Sequence, residues 1–437
     1  MAGARARLSL VEYGVPVDLC KAISTAGGFD RSRAAQMLLD AGGRAANSLG
    51  LSYNPINIDA RGVRAINFAG LIRLGPSLEL EVAPKFLGLD DRDDLWREDF
   101  FFLSTLSKHG RLLASERLSA SGGAPRDLST LVARSLTGMY EARKRRPLRS
   151  YRRMKDTDFF IDGDPDPTDL IFPGPDGFEQ EVLCFDRHNP WNAAIHDAAR
   201  ELLPEVRDPT AAAGLMRLIE DLAPQSWNGM PSRKKIPARH RAWRPVHDLS
   251  IDVLNGLGMS YKLGHARAPG YLVSTWQVWE DLLTIGARLG FERSAVSPQK
   301  GFVLGSKQKS KAADKAIPIS VFPDCVIESD GTRPRILLDA KYKGHAEKGP
   351  LRIAEADIYE AFAFSKATGC DRVILAYPAL PSPVRLPIGS CSIFERVEIG
   401  SVRIVGVQVE VRAISKSGAL KNFASALAQQ LPSIMSY

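Results

Sequence analysis

The chain has 437 residues, of which 44% are hydrophobic and 25% charged, and its five cysteines are odd in number and widely spaced. That composition excludes a disordered, collagenous or disulfide-stapled secreted protein and allows two or three domains. The net charge of +8 is local: residues 141–155 and 232–244 are strongly basic and the rest of the chain is net acidic, so whole-chain charge names no partner.

Residues 63–86 alternate apolar and polar positions around a Gly-Pro turn signal, which predicts two paired strands in a small β-rich module. From about Leu95 to Tyr151 the period turns helical, with an amphipathic stretch at 128–146 whose last turns carry the first basic window. The acidic segment 156–178, rich in Pro, Gly and Asp, is expected to be a loop. Helices are expected at 190–204, 210–222 and 245–257. After the break HARAPG the spacing predicts a helix over 275–289 and a strand at 300–304. Further strands are expected at 317–327 and 335–341, then a helix at 352–367, a strand at 372–377 and a last strand over 401–412.

No apolar run approaches the roughly 18 to 20 residues needed to span a bilayer, and the amino-terminal stretch MAGARARLSLVEYG has no signal-peptide core. A cytoplasmic protein without membrane contact is expected. The chain has no G-x-x-x-x-G-K-[ST], so nucleoside triphosphate chemistry of the P-loop kind would have to come from another subunit. G-x-S-x-G and H-x-x-x-H are likewise missing.

The sharpest chemical constellation is Pro323-Asp324 followed by Asp339-Ala340-Lys341. Residues i and i+2 of a strand share a face, so Asp339 and Lys341 project together, and a hairpin would bring Asp324 to the same side. Two carboxylates in one small volume need a cation, and hard oxygen ligands suit Mg2+, or Mn2+ in its place. Such an ion would stabilise charge on a phosphodiester, with the lysine beside the attacking water. An isolated D-x-K is most often a surface ion pair. Here Ile336, Leu337 and Leu338 bury the strand, and Glu280 on the preceding helix offers either a further carboxylate or only a solvated acid.

The strings PDCVIE, ILLDAKYKG, ADIYEAFAFSKA and VILAYP resemble the McrC family, the nuclease subunit of McrBC-type modification-dependent restriction systems. The likeness extends upstream through LVEYG, the VAPK ending of the first hairpin, LTGMYEARKRRPLRSYRRM, VLCFDRHNPWNAAIHDAARELLP and RAWRPVHDLSIDVLN, and so covers most of the chain. It implies an α+β multidomain fold with a β-rich module over 1–90 and a mainly helical adaptor over 91–265. An α/β restriction-endonuclease-like, PD-(D/E)XK domain would follow over 266–437.

It also implies an Mg2+-dependent DNA endonuclease with Asp324, Asp339 and Lys341 as its triad. Glu280 would be a supporting acid, and Asp324, Asp339 and Glu280 the metal ligands. The implied partners are an McrB-like AAA+ GTPase ring, which this subunit would stimulate, and double-stranded DNA whose modification the ring reads. Lys307, Lys309 and Lys311 of the Lys-rich loop and Lys343 after the triad are expected to grip the DNA backbone. Asp357, Glu360 and Phe364 share a helix face that would look into the site, although relatives commonly carry Gln and Tyr where this chain has Glu360 and Phe364. The same helix also reads as plain packing through Ile358, Ala361, Phe362 and Ser365.

Two questions stay open at this level. The basic windows are either solvated faces or contacts to phosphate or an acidic partner, and about six phosphate contacts would give a log-log salt slope near five. The other function classes are a non-catalytic assembly factor that activates a partner NTPase, and a nuclease acting alone.

Overall fold

The computed structural model describes residues 6–28, 30–75, 78–89, 95–109, 128–168, 170–172, 174–206, 208–222, 236–254, 258–263, 266–292, 295–308, 316–328, 336–342 and 351–435. It is a mixed α/β protein of two compact units, residues 3–126 with 270–437 and residues 127–269. The amino-terminal and carboxy-terminal segments, expected as separate domains at 1–90 and 266–437, share the first of these units.

In that unit the expected hairpin within 63–86 is present: Ala69–Gly75 pairs antiparallel with Leu78–Ala83. Strand Ala6–Val11, which the sequence pattern did not reveal, pairs parallel with Leu78–Ala83. On the far side Tyr271–Val273 pairs antiparallel with residues 69–71. Alternation along Leu78–Ala83 had implied one wet face, yet all six residues are buried. The acids survive there because they are matched: Arg7 Nε lies 2.9 Å from Glu79 and Arg97 Nη2 lies 2.5 Å from Glu81. Two helices also went unforeseen, Leu19–Gly27 and Arg31–Leu49. Both start on an Asp cap, Asp18 and Asp30, and end on a left-handed glycine, Gly28 and Gly50.

The second sheet has six strands in the order Val296–Pro298, Cys325–Ile327, Ile336–Ala340, Arg372–Pro378, Val402–Val409, Cys391–Ile399. Its middle is parallel, Ile336–Ala340 beside Arg372–Pro378 beside Val402–Val409, and its two edges are antiparallel. The parallel centre reads as continuous apolar sequence because both faces are covered. Helix Glu355–Thr368 packs Ala361 and Phe364 into a core with Leu337, Val373, Leu375 and Ile404. Helix Thr275–Gly290 lies against Ala419–Ile434. Close approach explains two glycines there: a Cβ at Gly286 would stand 2.6 Å from Phe423 Cε1, and one at Gly290 would stand 2.1 Å from the Ala424 carbonyl. The expected helix at 275–289 and strands at 335–341, 372–377 and 401–412 are all found within a few residues.

The second unit contains helices Leu128–Glu141, Pro190–Leu202, Pro209–Leu222 and Arg244–Leu254 with a three-stranded sheet. Asn189 caps the second of these helices, accepting from the Asn192 amide at 2.9 Å, and Pro190 fills its first position. The helix expected to run to 146 ends at Glu141, and the basic window continues through a turn into a strand. The segment 156–178 is not simply a loop, since its ends belong to strands Ser150–Asp158 and Phe178–Asp186, which pair antiparallel over nine residues. Arg152 and Arg153 meet Asp186 and Glu181 across this hairpin at 3.0 and 3.1 Å, so part of the basic window is neutralised within the fold. Gly177, at φ +114, passes so near Asp158 that a Cβ would stand 2.4 Å from its carbonyl carbon.

No helix among the described residues is long and apolar enough to cross a membrane. All five cysteines are free thiols.

Candidate active site

Antiparallel pairing of Cys325–Ile327 with Ile336–Ala340 sets the site, because the register Cys325 to Leu338 puts Asp324 beside the end of the neighbouring strand. Asp324 Oδ2 accepts from the Ala340 amide at 2.7 Å, so the bend at Pro323-Asp324 is tied to the backbone between Asp339 and Lys341. Lys341 itself is anchored by its amide donating to the Ala376 carbonyl at 2.9 Å. Its ammonium lies 2.5 Å from Asp339 Oδ2 and 2.7 Å from Glu360 Oε2. Two acids and an ammonium therefore meet in one volume, at the carboxyl ends of parallel strands where open α/β sheets place their ligands.

Glu280 joins through an intermediary. Gln299 Nε2 donates to Glu280 Oε1 and to Asp324 Oδ1, each at 2.7 Å, and its own amide donates to the Asp324 carbonyl at 3.0 Å. Gln299 adopts φ +48, a left-handed conformation uncommon outside glycine, so the turn is held against a backbone preference to present this amide. Sequence reading had no signal for Gln299: a polar residue between Pro298 and Lys300 marks a turn and nothing more.

The electrostatics follow from burial. Asp339 is 3% exposed and Lys341 8%. Desolvation pushes Asp339 up to about 7, opposed by Lys341 and reinforced by Asp324 and Glu360. Burial also raises Asp324 to about 6, against the Ala340 hydrogen bond and with repulsion from Glu280. Glu280 is raised for the same first reason, with Gln299 opposing and Asp281 and Asp339 adding. Burial disfavours the Lys341 charge, yet Asp339 and then Glu360 outweigh it and hold the ammonium above its ordinary value. Both values rise, for opposite reasons: burial wins at Asp339 and pairing wins at Lys341. The difference is physical, since the ammonium has two carboxylate neighbours while Asp339 sits among other acids.

Asp339 Oδ2 is buried, and the Lys341 ammonium 2.5 Å away is its close neighbour of opposite charge. One ammonium shared between Asp339 and Glu360 leaves this cluster of acids, as far as the described residues go, short of positive charge. Among the described residues no group of three or more His, Cys, Asp or Glu is disposed to hold a metal ion. Mg2+ does not require three, since it keeps several waters and takes one or two carboxylates. The donor set of Asp324 and Asp339 fits it on that count.

Of the other expected site residues, Asp357 accepts from the Tyr377 hydroxyl at 3.2 Å and Phe364 is buried in the core, so within that helix only Glu360 reaches Lys341. Lys307 is exposed at the end of a two-stranded arm, Phe302–Lys307 paired with Ile317–Val321, which packs on helix Glu355–Thr368. Lys309, Lys311 and Lys343 lie outside the described residues.

A profile of the family described as "McrBC 5-methylcytosine restriction system component" matches residues 63–378. No curated protein matches the chain. Among solved structures the fold is similar to a chain from a refined half-complex of a tetradecameric assembly of Thermococcus gammatolerans McrB AAA+ hexamers with bound McrC. That likeness has a TM-score of 0.68 at 14% identity and covers 97% of this chain and 100% of that one. A chain of the Thermococcus gammatolerans McrBC complex gives a TM-score of 0.46 at 14% identity, covering 64% of this chain and 86% of that one.

Proposed function

The chain belongs to the family of McrBC 5-methylcytosine restriction system components, and from that premise we propose that it is the McrC-like nuclease subunit, hydrolysing phosphodiester bonds of modified double-stranded DNA with Mg2+. The observation that carries this function is the convergence of Asp324, Asp339 and Lys341 through the Ala340 amide and the 2.5 Å ion pair. Its six-stranded sheet would be the PD-(D/E)XK core.

Asp324 and Asp339 would hold the ion, with Glu280 as a supporting acid kept in place by Gln299. When bound, Mg2+ supplies Lewis acidity toward the phosphoryl oxygens and lowers the pKa of a ligated water. The residues do the rest. Lys341 stays protonated against its two carboxylates and can donate to a non-bridging phosphate oxygen as charge develops there. The Ala340 amide holds one oxygen of Asp324 and the Gln299 side-chain amide holds the other, so the carboxylate is fixed in orientation. The arm carrying Lys307 would follow the DNA backbone.

The partner would be an AAA+ GTPase ring, and the hairpin of the second unit offers a docking element. Its tip exposes Phe159, Phe160, Ile161, Ile171 and Phe172, with Phe172 79% exposed. The tip is held in shape: Gln180 Oε1 accepts from the Asp162 and Gly163 amides at 2.8 and 3.0 Å, and its Nε2 donates to the Phe160 carbonyl at 2.7 Å. A pre-shaped apolar cluster of this kind marks an interaction surface.

The test is cleavage of methylated and unmethylated duplexes by the chain mixed with its ring, with GTP or ATP. Mg2+-dependent cutting of the methylated duplex is expected. Stimulated nucleotide hydrolysis without cutting would instead make the chain an assembly factor, and cutting without the ring would make it a stand-alone nuclease.

Metal binding has its own signature. A carboxyl whose folded-state pKa is raised gives stability that is full below its unfolded value and is lost as pH rises through the folded one. Asp324 and Asp339, raised from 3.8 to about 6 and about 7, should therefore weaken the ion-free protein between about pH 4 and pH 7. Ligation needs both groups ionised, so the rise in melting temperature on adding Mg2+ should be small at pH 5, full at pH 8 and absent in Asp324→Asn. A rise independent of pH, or one that persists in the variant, contradicts the assignment.

A further inference from the structure

Two sequence motifs, LVEYG and VAPK, take no part in the catalytic proposal, yet the fold carries both to its edge. Glu12 of the first is fully buried, and Lys85 of the second is 5% exposed. Glu12 Oε1 accepts from Thr275 Oγ1 at 2.6 Å, and Glu12 Oε2 accepts from the Tyr342 hydroxyl. The Lys85 ammonium donates to the Tyr342 carbonyl and stands 4.1 Å from the centre of the Tyr342 ring, whose edge also meets Phe86.

These contacts are placed at two mechanically important points. Tyr342 is the residue after Lys341, at the end of the strand that bears Asp339. Thr275 is the first residue of the helix that bears Glu280. Burying a glutamate is costly unless its oxygens are satisfied, so a fully buried Glu12 that spends both oxygens on these two elements fixes them to the amino-terminal sheet. On the other side the Lys341 amide donates to the Ala376 carbonyl at 2.9 Å.

We propose that Glu12, acting through the Tyr342 hydroxyl with Lys85 on the Tyr342 carbonyl, is a positioning residue for Lys341, so that the amino-terminal module is a working part of the nuclease site. The proposal rests on the nuclease function given above. Glu12 and Tyr342 touch no substrate. They set where the ammonium stands, and a displacement of about 1 Å at such a group is enough to cost activity steeply.

The test uses the full chain assembled with its ring partner and a cleavable modified duplex. Tyr342→Phe removes one hydroxyl and keeps the ring. It should lower kcat about tenfold with KM changed by less than about twofold, the pattern of an interaction made in the transition state. Deuterium uptake should rise at amides 339–342 and stay unchanged elsewhere. Glu12→Gln, which keeps an acceptor for the tyrosine, should recover most of the kcat lost in Glu12→Ala. Wild-type kcat in Tyr342→Phe, or uptake raised evenly over the whole chain, overturns the proposal. If the wild-type complex cuts no DNA, the nuclease function fails separately and uptake alone decides: a rise confined to 339–342 upholds the positioning role, and no rise there overturns it.

Discussion

Replacing Lys341 with methionine should lower DNA cleavage by at least about a hundredfold, the scale on which single charge-stabilising donors act, and should also lower the melting temperature. Methionine fills the same volume without the ammonium, so both consequences follow from charge. Asp339 and Glu360 would face each other and Asp324 without the ammonium that pairs with both. Removing one member of a buried pair commonly costs about 3–5 kcal/mol. The lower end applies here, because the Glu360 side chain is half exposed and because Asp339, already raised to about 7, can take up a proton instead. That escape gives the effect a pH signature. The destabilisation should be largest near pH 8, where wild-type Asp339 is ionised beside Lys341, and should shrink toward pH 5, where the carboxyl is neutral with or without the lysine. Thermal denaturation at the two pH values, beside a cleavage assay, checks both parts. Equal destabilisation at both would mean that Lys341 contributes packing rather than charge.

Asp339→Asn should cost even more activity, about a thousandfold or beyond, since it removes both a metal ligand and the partner that orients Lys341. Unlike the lysine variant, it should leave stability nearly unchanged. Burial raises Asp339 to about 7 and so opposes its ionised form, and a neutral amide of the same shape removes that cost. Lys341 keeps Glu360 as its partner. At pH 8 the melting temperature of Asp339→Asn should stay close to that of the wild type while that of Lys341→Met falls. Both variants lose cleavage, so only melting curves separate the two roles. A large fall in melting temperature for Asp339→Asn would show that the ion pair, rather than burial, governs the carboxylate.

Much of the site was legible because strand geometry is periodic. Asp339 and Lys341 had to share a face, the apolar run Ile336 to Leu338 marked the strand as buried, and the hairpin that brings Asp324 alongside was within reach of fourteen intervening residues. What escaped was information carried between elements rather than along them. Gln299 is invisible in the chain because its meaning lies in reaching Glu280 and Asp324 at once. Glu12 is 263 residues from Thr275 and 330 from Tyr342, and no local pattern joins them.

The same physics explains the errors of secondary structure. The strand pair Ser150–Asp158 and Phe178–Asp186 buries little, so its composition is that of a loop, and cross-strand ion pairs take the place of an apolar stripe. Glu79 and Glu81 alternate as if wet, but a residue on another element neutralises each of them. In the helix after the site, the resemblance to known sequences drew Asp357 and Phe364 toward catalysis. Asp357 instead accepts from Tyr377 and Phe364 joins the core, while Glu360 reaches Lys341 beside Asp339.

If Asp324, Asp339 and Lys341 form a metal-dependent nuclease site driven by a partner ring, one side-by-side measurement reveals it. The assembled complex is given a methylated duplex and Mg2+, and strand cleavage and nucleotide hydrolysis are followed together for the wild-type chain and for Asp339→Asn. The variant is expected to stimulate hydrolysis to within about twofold of wild type while its cleavage falls by about a thousandfold. Cleavage by Asp339→Asn at the wild-type rate would contradict it.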